Sequence, residues 1–119
     1  MAGENITPMS VRHMVSIEIV LDADGAKGDL LRSGGKIGFL LQDGKKGDTV
    51  PLCIECDLVV MPRGGLRGVA GGHVLYDNGK FRYKSGNLSN PERHLMVGYL
   101  HRRAQASETQ VEIVWRNFA

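Results

Sequence analysis

Alternation constrains this chain more than any other feature. Val11, His13, Val15, Ile17, Ile19 and Leu21 point one way, and Arg12, Met14, Ser16, Glu18, Val20 and Asp22 the other. A period of two is what a strand with one buried face requires, and a helix cannot use it. The same pattern returns at Ile37, Phe39 and Leu41, at Val50 through Val60, and at Val111, Ile113 and Trp115. The run from about Thr49 to Met61 reads as a long third strand with Val50, Leu52, Ile54, Cys56, Leu58 and Val60 inward. Pro51 near its start marks an edge or an irregularity.

One hairpin can be read to its register. In His73–Lys84, Asn78-Gly79 separates two alternating runs, and both residues tolerate the positive φ of a two-residue type I′ turn. That turn sets Asp77 opposite Lys80, Tyr76 opposite Phe81, Leu75 opposite Arg82 and Val74 opposite Tyr83. The aromatic rings then share a face with Val74, and Lys80, Arg82 and Lys84 take the other. The second and third strands form another hairpin across the polar turn 43–48. Residues 25–35 read as a loop holding at most one helical turn at 29–32.

Residues 90–104 carry two signals. Ser89-Asn90-Pro91-Glu92 has capping-box spacing with proline in the first turn. Against a helix, Leu95, Val97 and Tyr99 alternate and Gly98 weakens a helix interior, so a strand is preferred. About seven short strands with tight turns predict a mainly β, single-domain antiparallel barrel or sandwich. The alternative is an α+β fold with one helix at about 90–104 packed on a curved antiparallel sheet. Residues 1–10, with Pro8, read as a flexible N-terminal arm, and 11–119 as one β domain. No internal repeat is read.

The 119 residues suit one domain, 42% of them are apolar, and no apolar run approaches membrane-spanning length. With no signal-like N-terminus and only two cysteines, the expected location is the cytoplasm. The net charge of +2 is uneven: residues 1–61 carry −3 and residues 62–103 carry +6. Such a distribution favours an anionic partner.

The motifs are weighed on their spacing. Cys53-Ile54-Glu55-Cys56 lies in a strand, where residues three apart face opposite ways, and no second pair exists; no metal is expected. Asp22-Ala23-Asp24-Gly25 opens like a calcium loop but meets Leu31 where a glutamate is needed. The segment Arg63-Gly64-Gly65-Leu66-Arg67-Gly68-Val69-Ala70-Gly71-Gly72 matches no phosphate-binding fingerprint, yet its backbone amides and arginines suit an anion.

The leading expectation is therefore a small binding protein without chemistry or cofactor of its own. It would recognise a phosphorylated metabolite, a nucleic acid or an acidic protein surface. The contact set is Arg63, Gly64, Gly65, Arg67, His73, Lys80, Arg82 and Lys84. A homodimer formed through free sheet edges fits the same picture. The first alternative is a barrel enzyme of isomerase, cyclase or hydrolase type, with Glu18, Glu55, Asp57 and His73 enclosed in a pocket. The second is a non-enzymatic structural or inhibitory interaction protein.

Overall fold

A computed structural model describes residues 6–9 and 13–117. Most of the expected arm, with Val11 and Arg12, lies outside the described residues. Among the described residues, nine strands form one curled antiparallel sheet, a half-barrel. They are β1 (Thr7–Pro8), β2 (Val15–Val20), β3 (Leu30–Ser33), β4 (Lys36–Leu40) and β5 (Thr49–Pro62). After these come β6 (His73–Asp77), β7 (Lys80–Lys84), β8 (Met96–Leu100) and β9 (Gln110–Arg116). The sheet runs β3-β4-β5-β9-β8-β6-β7, with β1 and β2 laid along β5. Ile6 is buried, and the Met9 amide donates to Leu58 O at 2.9 Å.

The β6–β7 hairpin has the register its sequence predicts, His73↔Lys84 through Asp77↔Lys80, with Asn78 and Gly79 at positive φ. The helical turn expected at 29–32 is instead strand β3. Gly34 and Gly35, at φ 57° and 81°, turn it into β4, because two glycines form a I′ turn as readily as Asn-Gly. The 90–104 segment satisfies both of its signals in succession. Helix α1 is one turn, Asn90–Arg93, closed by the Ser89/Glu92 capping box; β8 follows, and 101–109 is loop.

Strand β5 organises the molecule and corrects the expected inward face. Against β2, its register slips between Val15↔Glu55 and Ser16↔Cys53; against β9 it slips between Cys56 and Val59. Each slip inserts one extra residue in β5, and each such bulge reverses which side chains point inward. Val50 and Leu52 pack in a small cluster with Leu21 and Leu40, whereas Cys53, Cys56, Val59 and Met61 enter the main core. Leu58 and Val60 are only half-buried. Both cysteines are therefore buried, and neither is in a disulfide. Burial pushes the Cys53 thiol up to about 12.

The main core is centred on Trp115, edge-on to Phe39 with ring centroids 5.2 Å apart. Tyr76, Phe81 and Tyr83 pack against this core. No helix among the described residues is long and apolar enough to cross a membrane.

The chain also contains an internal repeat, where none is expected from strand alternation. Asp24-Gly25-Ala26-Lys27-Gly28-Asp29 and Asp43-Gly44-Lys45-Lys46-Gly47-Asp48 lie nineteen residues apart and differ at one position. Their loops form a two-way bridge, Gly25 N to Gly44 O at 2.9 Å and Gly44 N to Gly25 O at 3.0 Å. Asp24 accepts from Lys46 N and Asp43 from Lys27 N; Asp29 accepts from Ala26 N and Asp48 from Lys45 N. Every contact has its counterpart, so the pair is built around a local twofold.

Candidate functional site

The same construction recurs at the other end of β5. Loop 62–72 leaves its C-terminus, and loop 101–109 leads into β9, whose Gln110 pairs with Pro62. The two loops bridge at Gly68 and Ala104. Gly71 N donates to Leu100 O as Gly28 N does to Leu40 O, and Gln105 N donates to the Glu108 carboxylate as Ala26 N does to Asp29. Fourteen residues of strand span about 45 Å if straight, and the longest dimension of the fold is 39 Å. The two loop pairs sit at opposite ends of β5, the longest strand of the fold.

Their charges are opposite. The residues preceding the bridges are Asp24 and Asp43 at one end, Arg67 and Arg103 at the other. The first pair of loops carries five aspartates against Lys27, Lys45 and Lys46, a net −2. The second carries Arg63, Arg67, Arg102 and Arg103 against Glu108, a net +3.

The glycine segment is half scaffold and half surface. Leu66 is buried, and Gly68 and Gly72 lie under the Tyr83 ring, where a Cβ would collide with it. Arg63 clasps its own loops: Nε donates to Glu108 O at 2.8 Å and Nη1 to Leu66 O at 3.2 Å. A planar guanidinium has a fixed fan of donors, so these bonds direct Arg63 toward the loop backbone and leave Arg67 as the outward arginine. Arg67, Val69 and Ala70 are exposed.

A cavity of about 500 Å³ opens beside this segment, lined by Met61, Pro62, Arg63, Gly64, Gly65, Lys80 and Phe81. The structure thus brings Lys80 of the hairpin turn to Arg63, Gly64 and Gly65. The other expected contacts lie apart from that cavity. Arg82 pairs with Asp77 at 3.6 Å and Lys84 with Glu92 at 3.2 Å. His73 stands between Lys84 and Tyr99 on neighbouring strands, and its Nδ1 is buried without a partner. Arg103 was not among the expected residues, and no local signal marks it. It lies thirty-six residues from Arg67, and only the Gly68–Ala104 bridge relates them.

The carboxylates do not gather. Glu18 is exposed on the outer strand β2. Glu55 reaches His13 at 3.2 Å, and Asp57 reaches Arg116 at 2.8 Å. At Glu55 the neighbours of β5 are Val15 on one side and Arg116 on the other, so His13 and Arg116, the partners of the two carboxylates, belong to opposite sides of β5. His73 is on β6, separated from β5 by β9 and β8. None of the four lines the basic-end cavity, the 260 Å³ cavity at the acidic end, or the 180 Å³ slot between β3 and the β6–β7 turn. No cluster of three or more metal-ligating side chains occurs among the described residues. The chain matches no protein-family model, no curated protein and no solved structure.

Proposed function

We propose that this protein is a binding module without catalytic chemistry, and that its basic end docks an acidic protein surface. The observation that carries the reading is the pair of exposed arginines, Arg67 and Arg103, flanking the Gly68–Ala104 bridge. Neither has a charged partner among the described residues, and both stand on a frame held by Arg63. Lys80 extends the positive surface across the adjoining cavity.

Shape favours one kind of anionic partner over the others. A small metabolite site encloses most of its ligand, and the cavity beside Arg63 is an open groove. Binding of single-stranded nucleic acid relies on exposed aromatic rings on which bases stack. Tyr76, Phe81 and Tyr83 instead pack against the core. An open, basic, glycine-edged surface is suited to side-chain carboxylates presented by another protein. The dispersal of Glu18, Glu55, Asp57 and His73, with Glu55 and Asp57 each held by a basic side chain, argues against acid–base chemistry, which needs two groups converging on one substrate.

The test is fluorescence anisotropy with a labelled polyglutamate peptide, a labelled single-stranded oligonucleotide and a labelled nucleotide triphosphate. Polyglutamate should bind, and its Kd should weaken about tenfold between about 50 mM and 300 mM salt. The R67E/R103E variant should lose at least about tenfold in affinity, as reversing two exposed charges implies. Unchanged affinity in that variant, or tighter binding of either nucleic-acid probe, overturns the reading.

A further inference from the structure

We propose that copies of this chain associate head to tail, the acidic end of one seated on the basic end of the next. This rests on reading the basic end as a docking surface, and names a second copy as one partner it accepts. The inference comes from the duplication. Both ends present the same backbone device, two loops joined by a two-way antiparallel bridge. At each end the two residues preceding the bridge are charged, acidic at one and basic at the other. Because they leave equivalent backbone positions, the separation of Asp24 from Asp43 follows the same geometry as that of Arg67 from Arg103. When the ends face each other, both aspartates can meet both arginines together.

The surrounding groups keep the pairing favourable. Asp24 and Asp43 each accept one backbone amide through Oδ1, at 2.9 and 2.8 Å, which leaves the second oxygen of each carboxylate for an incoming guanidinium. Lys27, Lys45 and Lys46 share the acidic end but leave it net negative, and Arg102 is already held by Glu108 and Glu112 at 3.1 Å. Two different surfaces at the two ends of β5 make a heterologous contact, which propagates as a chain or closes as a ring and never stops at a symmetric dimer. Exposed ion pairs are individually weak and salt-sensitive, so the assembly should form at high protein concentration and low salt.

Sedimentation velocity tests this with the full chain. At low salt the wild-type sedimentation coefficient should rise with concentration, and at about 0.5 M salt it should return to the single-chain value. R67E/R103E and D24N/D43N should each sediment as single chains; asparagine keeps the acceptor for the backbone amide, and circular dichroism checks that both variants fold. Mixing the two should restore one interface and give a two-chain species that grows no further. A wild type that stays a single chain at every concentration overturns the proposal, as does association that survives either variant, or a mixture that stays unassociated. If polyglutamate still binds the wild type in any of these cases, the docking reading stands and only self-association falls.

Discussion

A single carboxamide closes the fork in the sheet. Strand β5 pairs with β4 through Leu52 and Cys53 and then passes to β9 from Glu55 onward, so β4 and β9 diverge there. Asn117 fills the gap: its Nδ2 donates to Ile37 O at 2.8 Å and Ile54 O at 2.9 Å, and its Oδ1 accepts from Ile37 N at 2.7 Å. Asn117→Ala should therefore cost about 2 kcal/mol, since it deprives partly buried backbone groups of their partners. Asn117→Asp should cost more, because it exchanges the amide donor for a charge facing two carbonyl oxygens. Urea denaturation followed by Trp115 fluorescence measures both; an alanine variant as stable as wild type would show that water replaces the side chain.

At the scale of elements, α1 is held by its cap more than by its length. The Ser89 amide donates to the Glu92 carboxylate at 2.8 Å, and Ser89 Oγ accepts from Glu92 N at 3.3 Å. The Ser89 amide foremost, then the Lys84 ammonium and the Ser89 hydroxyl, hold the Glu92 carboxyl down to about 2 from its ordinary 4.5. A depressed carboxyl stabilises the fold above its unfolded value and loses that contribution as pH falls toward its folded one. Wild type should thus be more stable than Glu92→Gln above about pH 5, with the gap closing between 4.5 and 2. Thermal melts across that range read the gap; one that persists unchanged to pH 2 would locate the effect elsewhere. The elements legible in the sequence are those, like this cap and the Asn78-Gly79 hairpin, whose causes lie within a few residues. Strand β3 escaped because Leu30-Leu31 interrupts alternation. The inward face of β5 escaped because its two bulges answer to β2 and β9, which the local pattern does not contain.

The whole molecule is two similar platforms joined by one bent strand, and the candidate site was half legible for that reason. Arg67 and Lys80 follow from local composition, whereas Arg103 and the opposite polarity of the ends emerge only when the bridges bring distant loops together. The duplication makes a prediction no single loop would. A Cβ at Gly25 would stand 2.7 Å from Leu40 Cδ1, and one at Gly44 would stand 2.8 Å from Leu21 Cδ1, leucines that are themselves nineteen residues apart. Gly25→Ala and Gly44→Ala should then cost similar amounts, about 1–2 kcal/mol, by overpacking the same small cluster. Their double variant should depart from additivity because Leu21 neighbours both sites. At the basic end the symmetry is broken. Ala104 already carries a buried methyl at its bridge position, while a methyl at Gly68 would be driven into the Tyr83 ring. Gly68→Ala should be the most damaging of the three, since the ring is packed on the main core and has nowhere to turn. Urea midpoints for the four variants test the scheme together: unequal costs at Gly25 and Gly44, or a mild effect at Gly68, would mean that the two platforms only resemble each other in outline.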